Sequence, residues 1–283
     1  MVTFVKKQDG GREMLKIVKR LCVSSVFVTG FCVCLLESVS AHTMWLNVTK
    51  YSPKMYKPRE GTPAKYTREP GARSTVYFGW GHEYPVEGFL TDKHLGELVL
   101  VSPKGEKEKL TPGEGGFRAT QIKMKKEGGW IAAATIKPGF YGKVESKPEA
   151  KGEFWKMRYA QCAKALINAG EVSGNPFLKP VGHEIEIIPL KNPNQLKLGD
   201  WFPFKVLFDG KPAKRAEIHA ASLFSSTDES FTAHTNNNGE AKIRLLHYGP
   251  WIVKAKLQLP PTEEFKDKCK ELRYTATLTF EAR

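Results

Sequence analysis

From residue 42 onward, apolar residues fall on alternate positions in short runs, and most runs end in a cluster of Gly, Pro, Asn or Asp. Successive side chains of a strand point to opposite faces, so a period of two describes half-buried strands. The N-terminal runs are His42–Val48, Ser74–Trp80, Glu97–Val101, Gly128–Ile136 and Phe140–Val144. After residue 180 come His183–Pro189, Phe202–Phe208, Ala216–Leu223, Ala241–Leu245, Trp251–Leu257 and Tyr274–Phe280. Asn236-Asn237-Asn238-Gly239 is a hairpin turn by composition. About seven short strands at 8–12-residue spacing describe a sandwich. A hydrophobic share of 41% excludes a disordered chain, and no solenoid period, heptad or G-X-Y repeat is visible.

One segment reads differently. Phe154–Ala169 is rich in helix formers and is followed by Gly170, a residue type that suits the position just past a helix. It predicts one short helix. Leu190–Asp200 is a turn-rich linker and the best boundary. The expected fold is mainly β, with two β-sandwich domains. Residues 42–190 form the N-terminal one, with the helix at 154–169. Residues 191–283 form an immunoglobulin-like or transthyretin-like sandwich.

Residues 1–41 read as an export leader. Lys16, Lys19 and Arg20 precede the apolar stretch Leu21–Leu36, and Val39 and Ala41 fit the small-residue pattern of a signal-peptidase site. Met14 is an alternative start to Met1. The apolar stretch is shorter than the roughly 20 residues that span a bilayer. The expectation is cleavage after Ala41 and a mature periplasmic or secreted chain with no integral membrane segment. Cys22, Cys32 and Cys34 leave with the leader. Cys162 and Cys269 remain, either as one disulfide or as two partly buried thiols.

The formal net charge is +14. The lysines are scattered, as in Lys104–Lys109, where they alternate with Glu. A nucleic-acid footprint clusters its charge with interleaved aromatics, so nucleic acid is not an expected partner. There is no G-x-S-x-G, H-E-x-x-H, P-loop or C-x-x-C motif. Nothing sets a nucleophile beside a base, and an enzyme is not expected.

Histidine carries the functional signal. Cleavage after Ala41 would give His42 a free α-amino group beside its imidazole. The amine and Nδ1 can close a chelate ring on one ion, and another imidazole completes a histidine brace. Nitrogen ligation of this kind suits Cu(II) or Ni(II). His82 sits in Trp80-Gly81-His82-Glu83-Tyr84-Pro85, at a strand end where binding residues collect on a rigid scaffold. His183 follows Gly182 and shares a face with Ile185 and Ile187, as a rim ligand or as an ordinary core histidine. His94, His219, His234 and His247 read as surface residues.

Taken in order, Ala41-His42-Thr43-Met44-Trp45-Leu46, Gly81–Pro85, Val181–Leu190, Leu207–Pro212, Asn238-Gly239 and Gly249-Pro250-Trp251 resemble the motifs of a bacterial periplasmic family of unknown function. That family was formerly labelled a NikM-like nickel/cobalt transport component. The resemblance implies an extracytoplasmic, mainly β protein that handles a transition metal, with His42, His82 and His183 as its recurring histidines. The basic insert at Tyr51–Arg73 departs from the pattern. The expected function is a periplasmic protein that binds one divalent nickel, cobalt or copper ion through these three residues, as accessory to metal uptake or homeostasis, with a membrane metal transporter as partner. The alternative is a cell-envelope carbohydrate-binding or adhesion module without metal, using Trp45, Trp80 and Tyr84. A copper-dependent oxidase is a minor third reading.

Overall fold

The computed structural model describes residues 42–82, 84–144, 154–172, 174–224 and 231–283. The leader expected over 1–41 lies outside them. The strands are β1 (Thr43–Val48), β2 (Ala72–Gly81), β3 (Leu95–Val101), β4 (Lys107–Lys109), β5 (Thr120–Met124), β6 (Gly128–Ile136), β7 (Gly139–Val144), β8 (Phe154–Ala169), β9 (Ile185–Pro189), β10 (Trp201–Phe208), β11 (Lys211–Pro212), β12 (Glu217–Ser222), β13 (Phe231–His234), β14 (Glu240–Arg244), β15 (Gly249–Leu259) and β16 (Glu271–Ala282).

They make a three-layer β-sandwich. The middle layer is a nine-stranded sheet in the order β13-β12-β15-β16-β8-β6-β3-β4, with β7 also paired to β8. A three-stranded sheet, β1-β2-β5, covers one face. A four-stranded sheet, β11-β10-β14 with β9 on β10, covers the other.

The alternation explains which residues go where. On β3, Leu98 and Leu100 enter the core under the three-stranded sheet, while Val99 and Val101 enter the opposite core. On β6, Trp130, Ala132 and Ala134 take the first core, and Ile131 and Ala133 the second. A strand buried on both faces loses the polar half of its pattern and reads as a continuous apolar run. On β10, Phe202, Phe204 and Val206 face only the second core, so the clean alternation survives. Full burial of a phenylalanine side chain such as Phe202 or Phe280, whose rings lie 4.5 Å apart, contributes about 2–3 kcal/mol.

The helix expected over 154–169 is instead the strand β8. Its first half pairs with β7 and its second half with β6, while β16 runs parallel along its other side. Ala163, Ala165, Ile167 and Ala169 face the first core, and Ala160, Cys162 and Leu166 face the second. Helix propensity is a weak prior, and tertiary pairing on both edges overrides it here.

The boundary expected at 190/191 falls between β9 and β10, which are antiparallel partners with Ile187 opposite Val206. Residues on both sides of it belong to one compact unit, Ala41–Arg283. Cys162 and Cys269 are free and buried, which selects the two-thiol alternative. Burial pushes the Cys162 thiol up to about 11. No helix among the described residues is long and apolar enough to cross a membrane.

β1 is an edge strand whose free side is turned into the protein. Its backbone finds partners in side chains of the middle sheet. Gln161 Nε2 donates to the His42 carbonyl at 2.7 Å, and the Met44 N–H donates to Gln161 Oε1 at 2.7 Å. Thr277 and Thr279 donate their hydroxyls to the carbonyls of Met44 and Leu46 at 2.9 and 2.5 Å. Buried backbone groups need such partners, and these four bonds fix where β1 starts.

Candidate metal centre

The register of β1 on β2 builds the site. Thr43 pairs with Gly81 and Met44 with Trp80. Continuing the ladder by one residue puts His42 opposite His82, and their ring centroids are 4.6 Å apart. Met44, Leu46, Val76 and Phe78 lie on the core face of this sheet. His42, Trp80 and His82 continue that face by strand parity and emerge at the open end of the sandwich.

The turn after β2 supplies a third group. The Gly88 N–H donates to the Trp80 carbonyl at 2.7 Å and closes the turn. Glu87 folds back over Gly81, where a Cβ would stand 2.5 Å from its carboxylate oxygen, and Gly81 has φ +142°. That carboxylate accepts the His82 backbone N–H and lies 3.2 Å from His82 Nδ1. The outer face of β1 holds the turn from beneath. Trp45 Nε1 and Asn47 Nδ2 donate to the Pro85 carbonyl at 2.7 and 3.1 Å. Trp45 lies flat against Gly79, which has no room for a side chain.

The outcome is a cluster of His42, His82 and Glu87, each exposed, with ligand atoms all within 4.8 Å of one another. Two imidazole nitrogens and a carboxylate oxygen are a donor set for a divalent first-row ion. Trp80 stacks with His42 at 5.7 Å between centroids and with His94 at 5.7 Å. His94 stands just before β3 and bonds Thr91 Oγ1 through Nδ1 at 3.0 Å. Burial and the neighbouring Lys93 lower its pKa.

Of the three histidines singled out in the sequence, His42 and His82 come together and His183 does not join them. His183 lines a cavity with Val99 and Cys162, on the face of the middle sheet opposite β1. The reason lies three residues further on. Glu186 is drawn into the interior by Lys164, whose Nζ is 2.7 Å away, and accepts the N–H groups of Val181 at 2.6 Å and Gly182 at 3.1 Å. This ties the His183 loop to β8. Glu87 was not singled out. Its available signal was a carboxylate in the same turn as His82, closed by glycines at 81 and 88.

Residues 61–258 match the family described as "Domain of unknown function (DUF4198)". The chain belongs to that family. The DUF4198 match includes His82 and Glu87, while His42 lies ahead of it. No curated protein matches the chain. Among solved structures, the chain is similar to the tetra-tandem repeat in the extending region of a large adhesion protein, at 10% identity and a TM-score of 0.22, over 86% of this chain and 50% of that one. It is also similar to Escherichia coli alpha-2-macroglobulin activated by porcine elastase, at 10% identity and a TM-score of 0.23, over 86% and 20%. A Salmonella alpha-2-macroglobulin mutant gives 9%, 0.22, 86% and 15%. The chain thus spans half or less of these solved chains, and likenesses of this degree say nothing of what a DUF4198 protein does.

Proposed function

We propose that this DUF4198 protein is an extracytoplasmic binding protein for one divalent transition-metal ion, nickel, cobalt or copper, serving metal uptake or homeostasis. The observation that carries the reading is the meeting of His42, His82 and Glu87 within ligand distance of one another. After cleavage at Ala41, the His42 amine and Nδ1 would chelate the ion, with His82 and Glu87 completing the set. The α-amino group has an ordinary pKa of about 7.7–8.0, so a metal displaces its proton near neutral pH. Three nitrogens and one oxygen favour the tetragonal preference of Cu(II) or Ni(II). A membrane metal transporter is the partner this role requires.

The stacking-surface reading has less support. Trp45 is only 1% exposed, and its indole N–H is already bonded to Pro85.

The test is isothermal titration of protein beginning at His42 with Ni(II), Co(II), Cu(II), Zn(II) and Fe(II). Fe(II) belongs in the panel because two imidazoles and a carboxylate suit it as well. One tight site is expected, and it should weaken at least tenfold when a single residue precedes His42. Equal affinity with and without that residue rules out the amine as a ligand. Absence of any site rules out the function.

A further inference from the structure

The cavity beside His183 is a second, independent feature. It measures about 270 Å³ and opens between β3, β4, β6, β8 and the 181–184 loop. Its lining includes the apolar side chains of Val99 and Ala160. One of its polar groups lacks the partner that such a group normally has. His183 Nδ1 is buried with no hydrogen-bond partner, although buried polar atoms are nearly always paired. The imidazole is neutral at pH 7, because burial lowers its pKa to about 4. Lys107, Glu97 and Glu184 also line the cavity. Lys107 and Glu97 are exposed, and Glu184 has the charge of Arg158 acting on it from nearby. Lys107 Nζ stands over the loop, 3.9 Å from where a Cβ on Gly182 would sit. Burial raises the pKa of Glu184, and the charge of Arg158 acts against it.

An ammonium and two carboxylates of the protein border one small space that also holds an orphaned imidazole nitrogen. The ligand that complements both signs at once carries a carboxylate and an ammonium close together, and has room for few other atoms. Pockets for drug-sized ligands start at about 300 Å³, so this space suits a smaller molecule. A metal ion does not fit the donors. The Cys162 thiol in the same lining is held protonated by burial, and no group of three ligand atoms gathers here among the described residues.

We infer that the His183 cavity binds a free α-amino acid, its carboxylate facing Lys107, its ammonium facing Glu97 and Glu184, and one of its polar atoms satisfying His183 Nδ1. This site lies across the middle sheet from His42 and His82 and does not depend on the metal reading.

The test titrates full-length, chelator-treated protein with the common L-amino acids one at a time, and with propionate and ethylamine as half-ligands. At least one amino acid is expected to bind saturably, with each half-ligand at least tenfold weaker. Lys107→Met and His183→Phe should each weaken binding at least tenfold, while His42→Ala leaves it unchanged. Lys107 is exposed, so Lys107→Met keeps the fold and decides the matter if His183→Phe does not fold. No saturable binding by any amino acid overturns the inference. So does binding that survives Lys107→Met, or propionate binding as tightly as the amino acid.

Discussion

His42 and His82 lie side by side because one strand register carries both to the same end of the same face. Their centroid separation of 4.6 Å continues a ladder whose other pairs run from Thr43–Gly81 to Val48–Val76. The same ladder places Trp80 beside His42 and gives the turn its footing on Trp45.

Gly79→Ala should damage the site from a distance. The added methyl would stand 2.0 Å from Trp45 Nε1, so the indole must move and lose its bond to Pro85. Overpacking of this kind costs about 1–3 kcal/mol. The expected result in urea denaturation is a loss of that size. Metal affinity should fall together with it, since the turn carrying His82 and Glu87 loses its anchor. Gly61→Ala, where nothing lies within 4 Å and the strain comes instead from a positive φ of 77°, serves as the control for stability without effect on affinity.

Glu87→Gln should weaken the metal site while sparing the fold. The carboxylate is exposed, and the amide keeps an oxygen to accept the His82 N–H. Titration should show affinity reduced about tenfold or more, equivalent to roughly 1.4 kcal/mol, with an unchanged urea midpoint. Unchanged affinity would remove Glu87 from the ligand set.

The buried Lys164–Glu186 pair makes single substitutions worse than the double one. Each side chain is 2% exposed, and leaving either charge alone in the interior costs about 3–5 kcal/mol. Lys164→Met and Glu186→Leu should each lower stability by about that much. The double variant should recover a large part of the loss, read as a coupling free energy in a double-mutant cycle. Additive losses would mean that the pair itself contributes little.

His183 gives the stability curve a signed pH dependence. Its folded pKa is lowered to about 4 from 6.5, so between those values the unfolded chain binds more protons. Stability therefore rises with pH across that window and is lost as pH falls through it. The contribution is about 3 kcal/mol in all. Urea midpoints measured from pH 4 to 7 should show a steep slope for the natural chain and a shallower one for His183→Phe. Equal slopes would place the pH response elsewhere.

Cys162 and Cys269 should titrate as two thiols after denaturation and react slowly before it. Both are buried and so shielded from reagent, and at Cys162 burial raises the pKa, so its reactive thiolate is scarce. One disulfide in the purified protein would contradict this.

Much of this was legible from alternation, and what was not follows from specific packing. Strands covered on one face, such as β10 with Phe202, Phe204 and Val206, kept their pattern in the sequence. β8 did not, because both of its faces are interior. Its alanines at 160, 163, 165 and 169 serve as small residues between two cores, yet in sequence they are good helix formers. The short strands β4 and β11 carry no apolar alternation, and β5 and β13 show it over too few residues to stand out. In the site, His42 and His82 were each legible as ends of strands. Their adjacency depended on β1 pairing with β2 across the intervening Tyr51–Gly71 segment, which periodicity does not encode. His183 was drawn away by Glu186, and nothing in the alternation of that run marks one glutamate as an interior anchor.

Gln161 has a consequence for how the molecule answers to strain. It grips His42 and Met44 from the centre of β8, between Ala160 and Cys162, which pack into the far layer. The doorway to the imidazoles is thus clamped by a rail that lies between the two cores. A disturbance that slides this rail, wherever it begins, arrives at His42 after crossing a single side chain.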